Sequence, residues 1–566
     1  MSTDTAAESE TFEQVCRELV ERILDGDVER EDVEQAKKEV CGKYSSPKVP
    51  KNSDLLSFAP DGRRDELAEV VRRKPVRTAS GVSPVAIMTS PKRCPHGKCL
   101  YCPGGPASEF SSAQSYTGHE PAAARGVQTD YDPYAQVTLR LSQLHQIGHP
   151  VEKVELILMG GTMTARSADY QAWFVRRCLE AMNDFDPADP PAGAEPADFR
   201  QDPDERAFRY LADVKAKNET ATVRNVATTF ETKPDWCDPE QLTRMLRLGG
   251  TKVELGVQTT HDEVNREMHR GHGVADSVDA NRRLRDAAFK VGFHMMPGQP
   301  GMDLEMCKQD FRELFADPDW RPDYLKIYPT LVVKGTRVYD MWKRGDYEPL
   351  DNETAAELVA WIKERLPPYV RLQRVQRDIP ADHIEAGVWK SNLRQLARQR
   401  LEDRGGTCDC IRCREAGHAD EAPRDVTFDV LEYAAAGGTE HFLSFEDRER
   451  DVLVGFCRLR FPDDPVRREL RDAALVRELH VYGSEVGLDG AGGAAASPPA
   501  GDGGSGADGG RFQHRGYGRR LMARAEDIAR EAGYGKLAVI AGIGARRYYR
   551  EKLGYVQDGP YVSTRL

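Results

Sequence analysis

The sequence predicts an α/β multidomain protein with a small, helical, basic N-terminal region, a partial (βα)6 barrel, a zinc-binding linker and a C-terminal α+β domain. Three observations carry this. At 566 residues the chain far exceeds the ~100–200 residues that one core organises. Six apolar strand-like runs separated by helical stretches occupy 85–330, the order expected of parallel βα units. From about residue 425 the pattern changes to alternating polar and apolar positions, the mark of antiparallel strands with one wet face.

Taken in chain order, residues 1–75 form the N-terminal region. Phe12, Val15, Leu19 and Ile23, then Val33, Ala36 and Val40, fall at helical spacing. Lysines and arginines crowd 37–98 although the formal net charge is −12, so this stretch is a candidate RNA-facing surface in an acidic protein. A solvated helical face is the competing reading. The barrel is expected over 76–395, with strands at VAIMTS (85–90), KVELILMGG (153–161), NVATTFET (225–232), KVELGVQTT (252–260), KVGFHMMPG (290–298) and YLKIYPT (324–330). In such barrels the loops at the C-terminal strand ends build the site. A linker follows over 396–424, and 425–566 holds strand VRELHVYG (476–483), helix 519–533, strand KLAVIAG (536–542) and a short helix at 545–554. The Gly/Ala/Ser-rich stretch 486–511 cannot bury a core and is expected to be a flexible, dispensable insertion. No apolar run approaches the ~20 residues a membrane span needs, and the polar N-terminus has no secretory signal pattern. A cytoplasmic location is expected, where clustered cysteines read as metal ligands rather than disulfides.

Three constellations carry chemistry. Cys94, Cys99 and Cys102 lie in CPHGKCLYCPGG, and three thiolates at this spacing can ligate three irons of a [4Fe-4S] cluster, leaving one iron open. A three-cysteine zinc site is the alternative. Cys408, Cys410 and Cys413, in GGTCDCIRCREAGH, are a strong zinc signal, but a closed site needs a fourth ligand. His418, Cys41 and His383 are candidates. The third constellation is Gln513-His514-Arg515-Gly516-Tyr517-Gly518, whose glycines and following helix, opening at Arg519, suit the pyrophosphate of coenzyme A.

The cysteine loop resembles that of the radical S-adenosylmethionine superfamily, in which Gly160, Gly161 and Thr162 match a motif contacting the methionine end of that cofactor. The C-terminal pattern resembles the GNAT acetyltransferase fold. There Glu478, Leu479, His480 and Val481 match the strand that contacts the acyl thioester, and Tyr549, next to Tyr548, matches the tyrosine near the coenzyme sulfur, where a phenol can protonate the leaving thiolate. Plain core aromatics is the alternative reading of both tyrosines. The combination, with SYTGHEP (115–121), YDPYAQ (131–136), QRDIP (376–380) and GPYVS (559–563), is similar to the Elongator protein 3 family from about residue 70 to the C-terminus.

That resemblance implies an acyltransferase acting on tRNA. Acetyl-CoA, S-adenosylmethionine, a [4Fe-4S] cluster and Zn2+ would together serve to place a carboxymethyl group on carbon 5 of the wobble uridine, uridine 34. Carbon 5 of uracil is no nucleophile toward a thioester, so a radical route is what joins the two domains in one reaction. The resemblance further implies that Lys153 contacts acetyl-CoA from the barrel side, that the partner is the tRNA anticodon loop, and that an electron donor serves the cluster. The enzyme would be self-sufficient or would work with Elongator-like subunits. The competing function is a histone-like lysine acetyltransferase whose iron-sulfur cluster is structural.

Overall fold

The computed structural model describes residues 2–72, 78, 81–189, 204–419, 423–482 and 516–566. Its barrel comprises β1 (Ser83–Met88), β2 (Lys153–Met159), β3 (Arg224–Thr232), β4 (Lys252–Gln258), β5 (Lys290–Met295), β6 (Tyr324–Ile327) and β7 (Arg371–Arg374). The strands are parallel neighbours in chain order, and among the described residues β7 does not pair back onto β1, so the barrel is partial. It has seven strands, not the six expected. The seventh, RLQR, is four residues long with three polar, and Arg371 and Gln373 face a cavity instead of an apolar core. Hydrophobic periodicity therefore does not register it.

Helices cover the outer face. Ala168–Asp184 buries Tyr170, Phe174, Cys178 and Met182, one residue per turn, as an amphipathic helix must. Aspartates start several of them, with the Asp238, Asp303 and Asp351 side chains accepting from the free amides of Gln241, Met306 and Thr354. The N-terminal helices Ser2–Leu24, Val33–Tyr44, Asn52–Ser57 and Arg64–Val71 enclose a core of their own around Leu19, Val40, Leu55 and Leu67. This unit is tied to the barrel by Arg64, which donates to the His145 carbonyl at 3.0 Å, and Arg72, which donates to the Gly148 carbonyl at 2.6 Å.

The C-terminal sheet contains β8 (Thr427–Ala435), β9 (Gly438–Asp447), β10 (Val452–Phe461), β11 (Ala473–Val481), β12 (Lys536–Val539), β13 (Val556–Asp558) and β14 (Tyr561–Arg565). The order is β13-β14-β12-β11-β10-β9-β8, antiparallel except for β11 beside β12. That parallel pairing stops at Val476↔Val539, so β11 and β12 diverge beyond it and Arg477–Val481 continue without that neighbour. One face packs on helix Tyr517–Glu531 through Leu521, Met522, Ala525 and Ala529. The other face carries Phe442, Phe456 and Leu475 into the barrel's own core. The short helix expected at 545–554 is present over 543–553, opening as a 3-10 turn at Ile543–Ala545 and widening to a π turn at Tyr548–Lys552. The 486–511 stretch and Gln513, His514 and Arg515 lie outside the described residues.

Sheet and barrel meet over buried ion pairs. Arg477 grips Asp323 with both terminal nitrogens at 2.7 Å, and Arg285 and Arg458 approach the same carboxylate at 3.4 and 3.5 Å. Glu440 takes Arg285, Arg460 and Arg477 at 2.9, 3.0 and 2.8 Å. Asp323 precedes β6, and Arg477 also donates to the carbonyl of Phe289, which precedes β5, so the sheet docks at the N-terminal ends of the barrel strands. The cysteine loop follows β1 at the opposite end. A strand of six to seven residues separates the two ends by on the order of 20 Å.

Candidate active site

At the C-terminal strand ends, Cys94 is half-buried and Cys99 and Cys102 are buried. Gly160 and Gly161 have φ of +136° and +87°, conformations that a side chain resists. A Cβ on Gly160 would strike the Thr89 hydroxyl, and one on Gly161 would stand 3.5 Å from Cys94 Sγ. Thr162 Oγ1 donates to the same sulfur at 3.7 Å. The glycine motif and the first cysteine are thus one cradle. A hydrogen bond from Cys102, opposed by burial, together with the Arg270 charge and His96, holds the Cys99 thiol well below its ordinary pKa. Iron is ligated by thiolate, and the Arg270 charge and His96 favour that form at Cys99. Around it, Tyr101 Oη, Gln258 Oε1 and Arg270 Nε are buried without a hydrogen-bond partner in the protein, so the pocket is built for a polar, charged group. These residues fit an iron-sulfur cluster with S-adenosylmethionine. Gln258 itself sits at φ +75°, a strained backbone of the kind found at functional sites.

At the other end lie Glu478, Leu479, His480 and Val481 on the part of β11 beyond its pairing with β12, and Gly516, Tyr517, Gly518 and Arg519 at the start of the following helix, with Tyr548 and Tyr549 beside them. The Glu478 carboxylate is committed, accepting from Tyr324 Oη and, at 2.9 Å, from Arg458 Nε. His480 lies parallel to the Phe456 ring and tilted against Tyr482; burial lowers its pKa, and its buried Nε2 has no partner in the protein. That open nitrogen suits an acyl or amide oxygen of coenzyme A. A Cβ at Gly518 would come within 3.3 Å of Tyr548 Oη. Burial raises the phenols of both Tyr548 and Tyr549, keeping them protonated as donors. The π turn that presents them is a device often met at functional sites.

The two ends open into one cavity of 1610 Å³ that runs through the barrel. Charged side chains are interspersed along its wall, unlike the apolar layers that usually fill a barrel. Lys153, Glu155, Lys252, Glu254, Lys290, His294 and Lys326 occupy alternate, inward-facing strand positions. Lys252 pairs with Glu155 at 2.7 Å and Glu254 at 3.2 Å; Lys326 pairs with Glu254 and, at 3.2 Å, with Glu231. His294 Nε2 lies 3.0 Å from Glu254, and Tyr116 donates to Glu231 at 2.9 Å. Glu231, Glu254 and His294 are close enough to share a metal ion, but the Lys326 ammonium already bonds both carboxylates. Burial works against the Lys326 charge, and Glu254, Tyr328 and Glu231 more than offset it. Sequence reading named Lys153 here and missed the rest, whose signal was charge at alternate positions of otherwise apolar strands.

Family models match the chain in the same order as these parts: the ELP3 N-terminal domain over residues 12–79, the Radical SAM superfamily over 88–314, the Radical_SAM C-terminal domain over 322–403 and the acetyltransferase (GNAT) family over 509–555. A tRNA uridine(34) acetyltransferase of Methanocaldococcus infernus is 44% identical over 98% of this chain and 100% of its own length. Elongator complex protein 3 of Drosophila melanogaster is 40% identical over 98% of this chain and 96% of its own. The chain belongs to the Elongator protein 3 family. A solved Elp3 structure from M. infernus, with an N-terminal deletion (1-46), matches with a TM-score of 0.70 and 40% identity over 86% of this chain and 100% of that one. Membership of the radical S-adenosylmethionine and GNAT groups brings with it a [4Fe-4S] cluster, S-adenosylmethionine and acetyl-CoA.

In this member of the Elongator protein 3 family the linker cysteines also fit a metal. The sulfurs of Cys408, Cys410 and Cys413 lie within 4.8 Å of one another, as a single zinc ion requires. Hydrogen bonds from Cys408 and Cys410, then the Lys363 ammonium 3.2 Å away, push the Cys413 thiol far down. Of the candidate fourth ligands, Cys41 is buried in the N-terminal helical core, and His383 stacks on His119 with ring centroids 3.9 Å apart. The side chain of His418 lies outside the described residues. The N-terminal basic surface is narrower than its composition suggests. Lys37, Lys43 and Arg63 pair with Glu34, Glu18 and Glu66, while Arg64 and Arg72 are spent on backbone carbonyls. Arg73, Lys74 and Arg77 lie outside the described residues. No helix among the described residues is long and apolar enough to cross a membrane.

Proposed function

We propose that the enzyme is a tRNA uridine(34) acetyltransferase that uses acetyl-CoA to install a carboxymethyl group on carbon 5 of the wobble uridine in the anticodon loop. The observation that carries this is the single cavity, with Cys94, Cys99 and Cys102 at one end and Gly518, Tyr548 and Tyr549 at the other. When bound, the cluster and S-adenosylmethionine supply a 5'-deoxyadenosyl radical able to take a hydrogen atom from the acetyl methyl group. Gly160, Gly161 and Thr162 shape the methionine end of that site beside Cys94. Glu478–Val481, Gly516, Tyr517, Gly518 and Arg519, with Gln513 and Arg515, hold the coenzyme, and Lys153 meets it from the barrel. Tyr549, assisted by Tyr548, keeps the proton that the departing thiolate takes when water cleaves the thioester. Residues 1–75 and the adjoining barrel surface grip tRNA phosphates. Cys408, Cys410 and Cys413 form a zinc clamp between barrel (76–395) and sheet (425–566). The enzyme works in the cytoplasm with a one-electron donor, alone or beside Elongator-like subunits.

Cys99→Ser, assayed by nucleoside mass spectrometry of tRNA incubated with the reconstituted enzyme, acetyl-CoA and S-adenosylmethionine, is expected to abolish the carboxymethyluridine product. Unchanged product, or acetylated protein lysine formed without S-adenosylmethionine, would overturn the proposal in favour of a lysine acetyltransferase.

A further inference from the structure

The segment 268–272, between β4 and the helix Val274–Asp286, folds over the cysteine loop and converges on one sulfur. Leu100 N donates to the Met268 carbonyl at 3.3 Å, and Cys99 Sγ lies 3.7 Å from the His269 carbonyl. Arg270 is 5% exposed and forks: one terminal nitrogen donates to Cys99 Sγ at 3.6 Å and the other to the Gly256 carbonyl at 2.6 Å. His96 Nε2 lies 3.2 Å from the same sulfur. His96 is itself held by Gly271, at φ +68°, where an added Cβ would come within 2.6 Å of the His96 Cβ.

A buried guanidinium is tolerated when an anion compensates it. A guanidinium stays charged in a protein, and the hydrogen bonds of Arg270 run to Cys99 Sγ and the Gly256 carbonyl, with no ion pair to a carboxylate among the described residues. The charge of Arg270 is therefore matched to the cysteine thiolates and to what they ligate.

We propose that Arg270 is a positioning residue of the iron-sulfur cluster, which neutralises the Cys99 side of the cluster and raises its reduction potential. The inference rests on the reading of Cys94, Cys99 and Cys102 as cluster ligands. With three thiolates a [4Fe-4S]2+ core carries a net −1, and uptake of one electron from the donor makes it −2 with no bond made or broken. A fixed positive charge beside Cys99 stabilises the −2 state more than the −1 state, so reduction becomes easier. Sulfur hydrogen bonds act in the same direction.

The test compares full-length wild type with Arg270→Gln and Arg270→Lys after reconstitution with iron and sulfide. Iron content is measured first, and then the EPR signal of the reduced cluster is followed in a dithionite potentiometric titration. The glutamine variant is expected to hold wild-type iron, and at a given potential its reduced-to-oxidised ratio should fall at least tenfold, about 59 mV for a one-electron couple. The lysine variant, which keeps the charge, should recover most of the difference. A loaded glutamine variant with the wild-type potential overturns the inference, as does a lysine variant that shifts as far as glutamine. If glutamine fails to hold iron, a lysine variant loaded at the wild-type level and potential supports the role of charge, and loss of iron from both overturns it. Failure of the wild type to assemble a cluster would overturn the underlying reading instead.

Discussion

Gly160 combines two constraints on one atom that it lacks. At φ +136° its backbone lies where L-residues are strained, and an added methyl would collide with the Thr89 side chain. Gly160→Ala should cost about 1–3 kcal/mol of strain, seen as a lower Tm. By displacing Thr162 from Cys94 it should also suppress 5'-deoxyadenosine formation from S-adenosylmethionine. At the other end of the cavity, Tyr549→Phe removes the proposed proton donor while keeping the ring. We expect tRNA-stimulated acetyl-CoA hydrolysis to fall by about 10²-fold, read as release of free thiol, with coenzyme A affinity unchanged. Spacing within one loop made the cysteines legible in the sequence. Arg270 was not legible, because its partner Cys99 lies 171 residues away and the contact exists only once the segment after β4 folds back.

Among the elements, β6 and β11 carry the junction between barrel and sheet. Asp323, at the start of β6, is buried, yet Arg285, Arg477 and Arg458 hold its carboxyl far below the usual range against the opposing effect of burial. Because the folded pKa lies below the unfolded value of about 3.9, its stabilisation is fully present above about pH 4 and is lost as pH falls further. Asp323→Asn should cost about 3–5 kcal/mol, since it removes a buried carboxylate that three buried arginines share and leaves them only Glu440 and Glu478. The stability difference between wild type and variant should stay flat from about pH 5 to 8 and shrink below about pH 4, which denaturant titrations at several pH values would show. This junction was invisible in the sequence. Arg458, Arg460 and Arg477 alternate with Cys457, Leu459 and Val476 along β10 and β11 and so read as a solvent-facing side, whereas each is at most 1% exposed. The same rule hid Glu155, Lys252, Glu254 and Lys326 on strands whose positions were otherwise read well. Polar alternation marks whichever side is not packed with hydrocarbon, and here that side is a lumen and a domain interface.

For the whole molecule, the proposed acetyl-CoA end and the cysteine end stand at opposite ends of the barrel strands, joined through its interior. Replacing 486–511 by a short Gly-Ser linker should leave the carboxymethylation rate within about twofold, because that composition builds no core. Replacing Lys326 by Met should leave the Glu231 and Glu254 carboxylates without the ammonium that bonds both. Cleavage of S-adenosylmethionine would then persist while carboxymethyluridine formation is lost, an uncoupling visible when both products are quantified in one reaction. The buried arginines have a last consequence, for inheritance. Cutting the chain near residue 425 would break the pairs of Asp323 with Arg458 and Arg477, of Arg285 with Glu440 and of Asp286 with Arg460, leaving each buried cluster with only part of its counter-charge. Neither half is a module that recombination could lend to another protein as it stands. A lineage must keep both or rebuild the surface of whichever one it retains.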